Sequence, residues 1–181
     1  MTITWRKPGD AGHAHTARLC LRAPVADDTA AHHEIHSDPE TDRQNPAGPS
    51  TDPDADAAEL ELWRANWAVD GLGYWMVRET CDGEVIGVGG VRRAFLDGFV
   101  LNLYYRFRPS AWGRGYAVEL AAAAVETAGE FIPGTPVVAV IRPGNTASRK
   151  VAERAGLVLD RVVDKNGDPS EVYARPPGVS P

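Results

Sequence analysis

Between Phe99 and Ala128 the chain changes its period without a break, and few folds accommodate that change. Phe99 to Phe107 is a run rich in Val, Leu, Tyr and Phe, the composition of a half-buried strand. From Ala117 onward, Leu120, Ala121, Ala124 and Ala128 recur three and four residues apart, the spacing of one helix face. The helix is expected from Arg114 to Gly129, and its many alanines imply close approach to a sheet. The joint is the glycine-bearing turn Pro109 to Gly115.

The remaining segments fit around this unit. Arg18 to Arg22 alternates as a first strand, and Asp27 to His36 has weak helical spacing. The prolines at 39, 46 and 49 keep residues 37–52 irregular, a loop long enough to serve as a substrate rim. Asp52 followed by Pro53 opens a helix whose face carries Leu60, Trp63 and Trp67, which Gly71 and Gly73 stop. Tyr74 to Glu79 and Val85 to Arg92 form a hairpin about Asp82-Gly83. Val137 to Ile141 is a buried strand, Asn145 caps a helix through Ala155, and Leu157 to Val163 pairs with Glu171 to Ala174 around Asn166-Gly167. The order is strand, two helices, three antiparallel strands, helix, strand, helix, two strands.

A length of 181 residues suits one domain. Residues 1–16 are expected to be a flexible leader, 17–176 the domain and 177–181 a flexible tail. The formal charge of −6 gives no general attraction to nucleic acid or anionic lipid. No membrane-length apolar run and no secretory signal is visible, so a cytoplasmic protein is expected, monomeric or homodimeric. Cys20 and Cys81 each sit in apolar stretches and are read as buried free thiols. His32 and His36 are four apart, but His33-Glu34-Ile35-His36 falls one residue short of a zinc-binding His-Glu-x-x-His, so no metal is expected.

The turn Phe107-Arg108-Pro109-Ser110-Ala111-Trp112-Gly113-Arg114-Gly115-Tyr116-Ala117 carries the clearest chemistry. Unpaired amides at a helix start converge on an anion, the helix dipole adds positive potential, and glycine admits the ligand. Arg114 adds a permanent charge. Neither a Walker loop nor the dinucleotide fingerprint fits, and Gly87-Val88-Gly89-Gly90, lying between strands, reads as a bulge or a close approach.

These residues resemble the GCN5-related N-acetyltransferase (GNAT) superfamily, in the branch of the ribosomal-protein alanine acetyltransferases. The matching segments are Arg18-Leu19-Cys20-Leu21-Arg22, the glycine-rich strand Val85 to Gly90, the loop Pro109 to Ala117, and Asn145, Ser148 and Gly156. The resemblance implies a single α/β domain with a mixed, mostly antiparallel sheet and helices on both faces. It implies acetyl coenzyme A as donor, its pyrophosphate on Gly113, Arg114, Gly115, Tyr116 and Ala117, and its pantetheine arm along Phe107 and Arg108. Trp112 would anchor the turn, Asn145 and Ser148 would lie near the sulfur, and Arg149 would be either a phosphate contact or a solvated charge.

The acceptor would be a primary amine of a small molecule or a protein N terminus. Many members place a tyrosine seven residues after the asparagine, where this chain has Ala152, so Ser148 takes the proton-donor role. The branch's acid before the strand tyrosine is replaced by Asn102, which can orient a water or an amide but cannot be a base. Glu34, Asp97 or a histidine are the alternatives for that base. With both substitutions in view, a non-catalytic acyl-CoA-binding module is the rival reading.

Overall fold

In a computed structural model, residues 4–5, 12–44, 47–165 and 167–175 are described. Among the described residues, nine strands form one sheet in the order β1-β2-β3-β4-β5-β6-β7-β9-β8. They are β1 Thr4–Trp5, β2 His13–His15, β3 Cys20–Arg22, β4 Tyr74–Arg78, β5 Gly87–Phe95, β6 Phe99–Phe107, β7 Val137–Ile141, β8 Val158–Lys165 and β9 Asp168–Ala174. The helices are α1 Thr29–Ser37, α2 Pro53–Asp70, α3 Tyr116–Phe131 and α4 Thr146–Arg154. Every strand pair is antiparallel except β6 with β7.

The period change sets the layers. Leu101, Leu103 and Phe107 of β6 bury against Tyr116, Leu120 and Ala124 of α3. On the other phase, Tyr104 packs with Ile35 of α1 and with Leu60 and Trp63 of α2. Helices therefore cover both faces. Asp52 caps α2 by accepting from the amides of Asp54 and Ala55 at 3.0 and 3.2 Å, as its place before Pro53 predicts.

The glycine run in β5 marks a close approach. A Cβ on Gly89 would lie 2.4 Å from the Tyr104 carbonyl oxygen, and its φ of 153° disfavours any side chain. Gly89→Ala is expected to cost roughly 2 kcal/mol or more of stability in urea denaturation; an unchanged midpoint would mean that β5 and β6 separate easily.

Two expectations need correction. Residues 13–15, read as leader, form β2, because His13 and His15 pair with Arg22 and Cys20 of β3; residues 177–181 lie outside the described residues. The cysteines are not free thiols: Cys20 is buried, but Cys81 lies in an exposed turn, and the two are joined as a disulfide across 61 residues. No described helix is long and apolar enough to cross a membrane.

Candidate active site

Strand β6 pairs with β7 only at Leu101–Val137 and Asn102–Val138, and then runs on to Phe107 with no ladder on that side. The Leu101 amide donates to the Pro136 carbonyl. Strand periodicity then turns the amides of Leu103, Tyr105 and Phe107 toward the same open edge. Beyond Phe107 the chain makes a short 3-10 turn, and the exposed loop 112–115 leads into α3.

Among the described residues, no side chain caps the N terminus of α3. Gly113 and Gly115 hold φ of 73° and 79°, a left-handed geometry that turns successive amides outward. Two arginines flank the turn. Arg114 pairs with Glu79 at 2.5 Å and lies over the Tyr116 ring. Arg18 stacks on the same ring, donates to the Arg114 carbonyl at 2.8 Å, and is held by Glu119. Burial raises the Glu119 pKa, yet bonds from Thr16 and Arg18 outweigh it and hold the carboxyl below its usual range. Glu119 thus stays ionised and keeps Arg18 beside Gly115.

The predicted residues fall into three groups. Phe107 lies on the open edge, and its carbonyl accepts from Trp112 Nε1 at 2.8 Å; Trp112 anchors the turn by this bond while remaining 45% exposed. The Arg108 amide faces β5 and donates to Ile86, and its side chain donates to Val85 and pairs with Glu34. Asn145 caps α4 by accepting from the Ser148 amide at 3.0 Å. Ser148 in turn reaches the open edge of β6 through its carbonyl, which accepts from the Tyr105 hydroxyl at 2.7 Å. Arg149 donates to the Pro143 carbonyl and pairs with Glu171, with about a third of its side chain exposed.

Asn102 belongs to the opposite face. It lines a cavity of about 550 Å³ together with His36, Glu59, Tyr74, Tyr104 and Arg106, rimmed by residues 47–51 of the proline-rich loop. Its amide donates to the Tyr74 hydroxyl at 2.8 Å. His36 Nδ1 lies 2.8 Å from the His32 carbonyl, an oxygen that can only accept, so Nδ1 carries the hydrogen. Burial lowers the His36 pKa, so the ring is neutral and Nε2 accepts from the Tyr104 hydroxyl at 3.0 Å. Burial raises the Tyr104 pKa as well, so it remains a phenol.

His32, His36 and Glu59 bring ligand atoms within 4.8 Å of one another. Both nitrogens of His36 are already engaged, however, which speaks against a metal there. Asp97 lies at the distant β5–β6 turn, 79% exposed, and Glu34 is held by Arg108. The sequence motifs include Arg18 only as part of a strand and give no site role to Arg18, Tyr74, Tyr104 or Tyr105. The alternation of β6 already divides Tyr104 from Tyr105, but only the fold shows which phase faces the cavity.

The chain's similarity to known proteins agrees with this geometry. Residues 18–158 match the model of the acetyltransferase (GNAT) domain. The uncharacterized protein YkkB of Bacillus subtilis is 31% identical over 106 residues, a stretch covering 58% of this chain and 62% of that protein. An acetyltransferase crystal structure from Agrobacterium tumefaciens superposes with a TM-score of 0.76 at 29% identity, covering 90% of this chain and 92% of that one. AAC(6')-Ib, in complex with ribostamycin and coenzyme A, superposes with a TM-score of 0.70 at 20% identity, over 87% of this chain and 92% of its own. The splayed strand pair, the uncapped helix start and the match across residues 18–158 agree: the chain belongs to the GNAT acetyltransferase family.

Proposed function

We propose that the protein transfers the acetyl group of acetyl coenzyme A to a primary amine of a small molecule or a protein N terminus. The observation that carries this reading is that β6 serves two half-sites at once. Its open edge leads to the glycine turn at α3, and its alternate side chains, Asn102, Tyr104 and Arg106, line the cavity. The residues fit the donor: the first-turn amides are uncapped, the loop is exposed, and Arg18 and Arg114 supply positive charge. Bound there, acetyl coenzyme A supplies an activated acyl thioester.

The chain's own groups supply the rest. The edge-facing amides of Leu103 and Tyr105 are fixed donors for oxygen charge that develops beside β6. An amine with a pKa of about 8 to 10.4 must shed a proton before it can act as a nucleophile. The Tyr104 oxygen accepts that proton while its own passes to His36 Nε2, a route open because burial keeps the imidazole neutral. Asp56 and Glu59 give the cavity carboxylates that suit a cationic acceptor. Asn102 holds Tyr74 in place and moves no proton. Ser148, a half-buried residue whose carbonyl accepts from Tyr105, is the proton donor to the leaving thiolate through its hydroxyl.

The test follows free thiol release with acetyl coenzyme A and a panel of amines and peptides. Tyr104→Phe is expected to lower kcat/KM on the order of 100-fold with donor affinity unchanged. Ser148→Ala is expected to lower kcat about tenfold with little change in affinity, and an unaltered kcat would reassign the donor role. Saturable donor binding without turnover on any acceptor would favour a non-catalytic acyl-CoA-binding module.

A further inference from the structure

Strands β2 and β3 and the turn after β4 assemble a second cluster that the transferase chemistry does not use. His13 and His15 are two apart on β2 and so share one face. Register places His15 opposite Cys20 on β3, and Cys20 opposite Arg78 at the end of β4. The turn that follows β4 brings Cys81 back over the same spot. Ligand atoms of all four residues lie within 4.8 Å of one another.

The distances have the proportions of a tetrahedral centre. His13 Nε2 lies 3.6 Å from Cys20 Sγ and 3.8 Å from Cys81 Sγ. The His15 ring nitrogens lie 3.9 and 4.0 Å from Cys81 Sγ. For zinc, with Zn–S of about 2.3 Å and Zn–N of about 2.0 to 2.1 Å, the nitrogen-to-sulfur edge of a tetrahedron is about 3.6 Å. His13 Nε2 is thus near a ligand position, while His15, whose two ring nitrogens are almost equidistant from Cys81 Sγ, turns one of them to the ion as the two sulfurs part. Two thiolates neutralise a divalent ion, which suits a site where Cys20 is buried, while exposed Cys81 gives an entry path. Two sulfurs and two imidazoles favour zinc among the divalent ions.

We propose that His13, His15, Cys20 and Cys81 bind one zinc ion in the dithiol state, and that the Cys20–Cys81 disulfide is the oxidised, metal-free form of the same cluster. A dithiol reductant delivers two electrons and two protons. The S–S bond opens to two thiols while the reductant's own sulfurs close into a disulfide. Zinc binding then displaces both thiol protons to solvent, leaving two thiolate ligands. Oxidation runs the sequence backward: an oxidant such as a small-molecule disulfide takes up the two electrons, the sulfurs rejoin, and the ion leaves.

The full chain, reduced without oxygen by a phosphine that is then removed, is titrated with zinc against a chromophoric chelator. One zinc per chain is expected, and the disulfide form should bind on the order of 100-fold more weakly. Cys81→Ser and His13→Ala should each weaken the reduced protein's affinity to a similar degree, roughly 100-fold. Cobalt in place of zinc should give the visible absorption of a tetrahedral thiolate site, lost in Cys81→Ser and shifted in His13→Ala and His15→Ala. Cys81 is exposed, so its serine variant is expected to fold, and the comparison of reduced with oxidised wild type needs no variant. Less than stoichiometric zinc on the reduced chain, equal binding by the oxidised chain, or affinity indifferent to both histidines would overturn the proposal.

Discussion

Gly115→Asp is expected to raise the Kd for acetyl coenzyme A by a few hundred-fold while leaving the protein folded. Gly115 holds φ at 79°, and a Cβ built there meets only Arg18 Nη2, at 3.5 Å. The Cβ has room, and the strain of the left-handed backbone is shared with the asparagine control, so what distinguishes aspartate is its charge. Its carboxylate would pair with Arg18, removing one cation from the turn, and would place a negative charge among the uncapped amides of α3. Two unit charges about 5 Å apart at an effective dielectric of about 20 interact by roughly 3 kcal/mol, enough for that loss.

Gly115→Asn is the matched control. Asparagine has nearly the same shape and tolerates the left-handed region, so it should keep most of the affinity. Equal losses in the two variants would make the effect one of shape rather than charge. Unchanged affinity in Gly115→Asp would remove the diphosphate from this turn.

Acid is expected to destabilise the protein through His32. The ring is fully buried, stacks on His36 at 4.1 Å, and has no hydrogen bond at either nitrogen among the described residues. Glu59 approaches Nε2 at 3.4 Å without aligning as a hydrogen-bond partner. Burial first, and then the neighbouring His36, lower its pKa from 6.5 to about 3.

The native state therefore leaves His32 neutral where the unfolded chain protonates it. Above pH 6.5 the two states bind the same number of protons at this site; as pH falls toward 3 the unfolded state binds more, so stability falls. At pH 5 the deficit from this residue is about 2 kcal/mol. Urea denaturation at pH 7 and pH 5 should show that loss in the wild type and less of it in His32→Leu. Parallel pH curves for the two proteins would mean that His32 is solvated.

Much of the fold is written locally. Phe99–Phe107, Val137–Ile141 and the start of α2 at Pro53 lie where composition and capping place them, because strand-forming runs and an Asp-Pro helix start need no distant partner. The glycine turn was legible for the same reason: its function follows from a helix terminus.

What escaped depends on distant parts of the chain. Cys20 and Cys81 are 61 residues apart, so their pairing follows only once the β4 turn brings them together, although the polar neighbours of Cys81, Glu79, Thr80 and Asp82, already argue against its burial. His13 and His15 read as leader because a three-residue strand has too little length for a period to emerge. His36 and Tyr104 meet across 68 residues at the junction of α1 with β6. Arg18 lies 101 residues from Glu119, the carboxylate that positions it. Asn102 was singled out for its place before the tyrosines, but its partner Tyr74 comes from β4, two strands away across the sheet.

The proposed seat of the donor is the junction between β6 and α3, and a crystal structure with coenzyme A tests it most directly. The diphosphate is predicted within hydrogen-bonding distance of the amides of residues 113–117, with the pantetheine arm along the open edge of β6 at 103–107. Coenzyme A bound elsewhere, with those amides facing only solvent, would contradict it.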